Sequence, residues 1–168
     1  MGLMGELGGM YEKIVLAYDG SLEGAIALRE GAILAKQCGA AVYLLSVAPD
    51  SAGVQMAEGI QCGAMASHAG HYREVLERGV DRLTRLGLKP ASRLAVGDPA
   101  KAIAALVREV GADLVVVGHQ KRNIVERWWS GPTGAYICDF IGCTLLIARN
   151  AVSDEAFEAR MMAAHSDG

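Results

Sequence analysis

The feature that most narrows what this chain can fold into is the character of its apolar runs. Lys13-Ile-Val-Leu-Ala-Tyr18, Ala41-Val-Tyr-Leu-Leu-Ser-Val47, Asp113-Leu-Val-Val-Val117 and Thr144-Leu-Leu-Ile-Ala148 are nearly continuous rather than alternating. A strand wetted on one side alternates polar and apolar residues, whereas a strand covered on both sides does not. Strands covered twice need helices on both faces of their sheet, and segments long enough to be helices lie between these runs. The order reads βαβαβαβαβ. The expectation is an α/β fold, Rossmann-like, with a five-stranded parallel sheet in the order 3-2-1-4-5 and helices on both faces.

The helices carry their own start and stop signals. Ser21 caps a helix that runs to Cys38, and Gly39 stops it. Residues from Pro49 to Ala66 are rich in Gly, Ala, Ser and Met and read as a loop. The next helix places Tyr72, Val75, Leu76, Val80, Leu83 and Leu86 on one face and ends before Gly87. Arg93 to Val96 reads as a short strand. Asp98 and Pro99 then open a helix with Ile103, Leu106, Val107 and Val110 turned inward, and Gly111 closes it. One domain is expected over residues 11–149. Residues 1–10 are glycine-rich and expected to be flexible, and residues 150–168 form a tail. With Val152, Ala156, Phe157 and Met161, that tail is either a short amphipathic helix or a frayed end.

Composition excludes several classes. The 168 residues are 52% hydrophobic and 21% charged, which suits one soluble domain with a sizeable core. A net charge of −3 gives no electrostatic footprint for nucleic acid. No apolar run is long enough to span a bilayer, and the N-terminus lacks the pattern of a signal peptide. The four cysteines, Cys38, Cys62, Cys138 and Cys143, form no CxxC pair and read as reduced thiols. A cytoplasmic protein is expected.

In the order 3-2-1-4-5 the first and fourth strands are neighbours at the topological switch point, where ligands bind in such sheets. The turn Asp19-Gly20-Ser21 after strand one then faces Gly118 at the end of strand four. Gly118 lets a ligand approach the main chain, and Gly131 precedes a short helical segment whose first N–H groups favour an anion. This pattern suggests a phosphate site.

The residues Ile14-Val-Leu-Ala-Tyr-Asp-Gly-Ser21, Leu44-Leu-Ser-Val47, Val96-Gly-Asp-Pro99, Gly111-Ala-Asp-Leu-Val-Val-Val-Gly118 and Cys143-Thr-Leu-Leu-Ile-Ala148 occur in this order. In that order and spacing the chain resembles the universal stress protein family over roughly residues 11–149. The resemblance implies the adenine nucleotide alpha hydrolase-like variant of the Rossmann-like fold. It also implies a stress-response regulatory module that takes ATP or AMP, with Mg accompanying ATP. Asp19 maps to an adenine or ribose contact, and Val47 to main-chain hydrogen bonds with the base. Gly118 and Gly131 match the first and third glycines of the family's phosphate motif, and Thr133 offers a hydroxyl nearby. Lys121 stands where the second glycine belongs, and Pro132 where a Ser or Thr belongs. Lys121 could replace a main-chain contact by its charge, whereas Pro132 removes both a hydroxyl and an N–H. The resemblance further implies a homodimer paired through the apolar edge strand Thr144–Ala148, with the tail clasping the partner or covering the interface.

Other readings stand beside this one. A nucleotide-free dimer acting through contacts with other proteins is the alternative that Lys121 and Pro132 favour. No GxxxxGK[ST], GxSxG, HExxH or acid/base carboxylate couple is present, so no enzyme is expected beyond a weak ATPase. Cys62, His68 and His71 lack a recognisable further ligand, and no structural metal is expected. Lys121, Arg122 and Arg127 form either a phosphate-facing group or a solvated loop. Trp128 and Trp129 either pack the loop or stack on a base, and His119 either meets a phosphate or belongs to the loop.

Overall fold

The computed structural model describes residues 9–50, 63–119, 137–149 and 153–163. Its strands are β1 (Lys13–Ala17), β2 (Ala41–Ala48), β3 (Ala91–Val96), β4 (Leu114–Gly118) and β5 (Thr144–Ala148). They form one parallel sheet in the order β3-β2-β1-β4-β5. The helices are α1 (Leu22–Cys38), α2 (Gly63–Arg85), α3 (Pro99–Val110), the short α4 (Ile137–Phe140) and α5 (Asp154–Ala163).

Successive side chains on a strand point to opposite faces, and here both faces are dry. On one face Ile14, Leu16, Leu44 and Val116 bury against Leu28 and Ala32 of α1 and Val75 and Leu83 of α2. On the other, Val15, Leu45 and Val115 bury against Ile103 and Val107 of α3 and Ile137 of α4. The lack of alternation in the sequence thus follows from two cores sharing one sheet.

Polar groups fix where elements begin. Asp113, one residue ahead of β4, accepts from the N–H of Glu12 at 2.7 Å and of Lys13 at 3.2 Å. Its carboxylate therefore ties the start of β4 to the start of β1. The Asp98 side chain accepts from the Lys101 N–H at 2.9 Å and caps α3. At the far end of α1, Gly39 closes the helix in the left-handed conformation at φ 64°.

The structure sets some limits differently from the expectations and settles others that were left open. Helix α2 begins at Gly63, within the stretch read as a loop. Its first turns contain Ala64, Ala66 and Ala69, which favour helix intrinsically yet carry no apolar period to betray it. Strand β3 begins at Ala91 rather than Arg93, because Ala91 and Ser92 pair with Tyr43 and Leu44 of β2. Residues 91–93 are exposed along an open sheet edge, so they look unlike a buried strand. The segment expected to be flexible has residues 1–8 outside the described residues, but Gly9 packs tightly on Cys38. A Cβ on Gly9 would come within 2.3 Å of the Cys38 Cα. The tail contains a helix, α5, which lies on α1 of its own chain. Phe157 and Met161 bury there with Ile33. The Arg29 guanidinium stands 5.0 Å from the Phe157 ring centroid.

Candidate functional site

Between β1 and α1 the chain must reverse within four residues. Gly20 takes φ +82°, and a Cβ there would stand 3.0 Å from a Val75 methyl, so both backbone and space call for glycine. The reversal leaves Asp19 half-buried at the carboxyl end of the sheet. Its Oδ1 accepts from the Ser21 N–H at 3.0 Å and from the Ser21 hydroxyl at 2.5 Å. The Ser21 Oγ accepts in turn from the Gly24 N–H at 2.9 Å. Asp19 therefore orients the residue that caps α1, and one chain of hydrogen bonds joins the carboxylate to the helix.

The end of β1 is tied to β2 by two bonds. The Tyr18 N–H donates to the Leu45 carbonyl at 2.9 Å, and the buried Ser46 hydroxyl donates to the Tyr18 carbonyl at 2.7 Å. On the opposite side of β2, the Gly97 N–H donates to the Ala48 carbonyl at 2.9 Å. Peptide groups in a parallel ladder turn alternately to either neighbour. Those of Val47 consequently turn toward the β1 side, beyond the last residue of β1.

Gly118 is the end of β4 and meets α1 main chain to main chain. A Cβ on Gly118 would fall 2.4 Å from the Glu23 carbonyl oxygen and 2.8 Å from the Gly24 nitrogen. Real structures do not tolerate such distances, so the first turn of α1 can seat on β4 only over a glycine. The His119 N–H continues the ladder by donating to the Ala148 carbonyl at 3.0 Å.

These pieces enclose a narrow slot of about 50 Å³ between the ends of β1 and β4. Asp19, Val47 and Gly118 all line it, together with Ser21, Pro99 and Ile103. Three of the six residues singled out in the sequence therefore come together. Lys121, Gly131 and Thr133 lie outside the described residues, as do Arg122, Arg127, Trp128, Trp129 and Pro132. Pro99 read more readily as a helix start than as a ligand contact, and Ile103 as an inward core residue, because a first-turn proline and an inward isoleucine are ordinary in any helix start. Ser46 was legible only as the single serine in an apolar run.

Among the described residues no group of three or more His, Cys, Asp or Glu could hold a metal ion. Cys62 and the His68 side chain lie outside them, and the His71 ring meets Tyr72 edge-on at 5.5 Å. Burial pushes the Cys143 thiol above its ordinary value, and the negative charge of Asp113 adds to this. Both effects disfavour the thiolate that a nucleophile needs. No helix among the described residues is long and apolar enough to cross a membrane.

The universal stress protein family model matches residues 10–149. A putative universal stress protein of Staphylococcus epidermidis is 30% identical over 154 residues, which is 90% of this chain and 92% of that protein. A solved structure of a universal stress protein family member from Burkholderia pseudomallei is 27% identical, with a TM-score of 0.63. The match covers 83% of this chain and 97% of that one. A family protein of Arabidopsis thaliana solved with AMP bound is 17% identical with a TM-score of 0.58, over 86% of this chain and 94% of that one. At that identity the last likeness concerns the fold.

Proposed function

The chain belongs to the universal stress protein family, and from that premise we propose that it is a stress-response module that binds AMP or ATP at the switch point between β1 and β4. The observation that carries this reading is the convergence of Asp19, Val47 and Gly118 on one slot. Asp19 is suited to accept from ribose hydroxyls or the base, and the Val47 peptide to pair with the edge of adenine. A slot of about 50 Å³ admits the edge of such a ligand, so the rest of it would lie above the strand ends. There Gly118, Gly131 and Thr133 would surround the phosphates, with Lys121 as counter-charge and Mg riding on ATP. The family protein solved with AMP supports an adenine nucleotide as the class. We further propose a cytoplasmic homodimer joined along β5, the open sheet edge opposite β3. A nucleotide must distinguish two states of such a module to regulate its contacts.

A second reading rests on Pro132, which cannot donate an N–H or a hydroxyl to a phosphate. In that reading the protein is a dimer that works through protein contacts without nucleotide. Calorimetric titration of nucleotide-stripped protein with AMP, and with ATP plus Mg, separates the two. Saturable micromolar binding, weakened at least tenfold by Asp19→Ala, supports the first. No heat up to millimolar nucleotide from a folded protein rejects it. Pro132→Ser is expected to strengthen ATP more than AMP, because added donors act on the phosphates.

A further inference from the structure

The first turn of α1 has two sides. Ser21 and Gly24 line the nucleotide slot, whereas Leu22, Ala25 and Ile26 line a separate groove of about 580 Å³ between α1, α2 and α5. That size is within the roughly 300–1,000 Å³ of small-molecule sites. Its floor is Leu28, Leu83 and Phe157, all buried. Leu22, Ala25 and Ile26 repeat at helical spacing, with Arg29 one turn further on the same face. The apolar wall of α1 therefore becomes cationic after seven residues, about 10 Å along the axis. Arg82 and Arg85 of α2 stand at the same groove. Both are exposed, and among the described residues neither has an ion-pair partner.

Among the described residues, the charged ones lining the groove are Arg29, Arg82 and Arg85, with no carboxylate beside them. Leu22 remains 75% exposed at its apolar wall. Hydrocarbon on one stretch and guanidinium groups on the other match an amphipath with an anionic head. A planar carboxylate can take two N–H groups from one guanidinium. We propose that this groove binds a medium-chain fatty acid, its carboxylate at Arg82 and Arg85 and its chain along Leu22, Ala25 and Ile26. The proposal is independent of nucleotide binding, because Arg82 and Arg85 are no part of the slot.

Decanoate is the probe, titrated calorimetrically into the full chain below its aggregation threshold, with decanol and AMP titrated into the same preparation. The expected result is saturable decanoate binding at one site per chain, with decanol at least about tenfold weaker. The Arg82→Ala, Arg85→Ala double variant is expected to lose decanoate affinity about tenfold or more, as two charge-assisted bonds require. Leu22→Glu, at an exposed position, is expected to weaken the chain end similarly. AMP affinity in both variants should match the parent, so failure of one site is separable from failure of the other. Absence of saturable decanoate binding, equal binding of decanol, or an unaltered double variant would overturn the proposal. Dissociation of a dimer by the double variant in light scattering would also overturn it, since the groove would then be an interface between copies.

Discussion

At Gly118 the volume a side chain would need belongs to the carbonyl of Glu23 and the amide of Gly24. The sequence pattern suggested that glycine serves a ligand, and the structure adds a requirement from α1 that no motif displays. Both demands can be met at once, because the residue presents one hydrogen to the helix while it also lines the slot. Gly118→Ala is therefore expected to destabilise the fold by about 1–3 kcal/mol, the usual cost of forcing a methyl into a packed region. A lowered urea midpoint with an unchanged slope would show it. If stability is unaltered, α1 can withdraw from β4 and the close approach is dispensable. Asp19 illustrates another limit of reading residues singly. Its place in the turn was legible, but its hold on the Ser21 hydroxyl depends on side-chain geometry that spacing does not encode.

Of the described helices, α5 is the one with no buried residue in a core of the sheet. Its buried residues, Phe157 and Met161, meet Ile33 in a small cluster of their own, outside both cores of the sheet. Phe157→Ala is expected to cost about 2–3 kcal/mol, at or below the usual loss for a core phenylalanine. Hydrogen exchange should quicken in α5 and on the α1 face around Ile33, while β1 and β4 keep their protection. Equal loss of protection across the sheet would mean that α5 is integral to the fold. Strands β1, β2, β4 and β5 were legible because burial on both faces leaves an unbroken apolar run. The edge strand β3 and the start of α2 were harder. Ala91 and Ser92 owe their strand conformation to pairing with Tyr43 and Leu44, and the alanine-rich opening of α2 has no period. The tail helix was legible in its residues, but its seat on α1 was not.

For the whole molecule, a parallel sheet was legible in the alternation of elements. The order that leaves β5 at an edge came from the Rossmann-like pattern, since alternation alone allows other orders. Assembly depends on what meets β5. Leu145, Leu146 and Ile147 are half-buried on that open edge. If two copies pair there, Leu145→Lys brings like charges together across the two-fold. It is expected to raise the dimer dissociation constant at least tenfold without unfolding the chain. Light scattering across a dilution series checks this, and an unchanged mass would move the interface elsewhere. Within one chain, the slot has unequal walls. Toward α1 and β4 it is closed by peptide lying on peptide at Gly118, and toward β2 and α3 it is faced by the Val47 and Ile103 side chains. Substitution can recontour the second wall one methyl at a time, but at Gly118 the first has no side chain to exchange. Changes in ligand preference would therefore have to accumulate on one flank, with the other acting as a template that mutation cannot regrade without dislodging a helix.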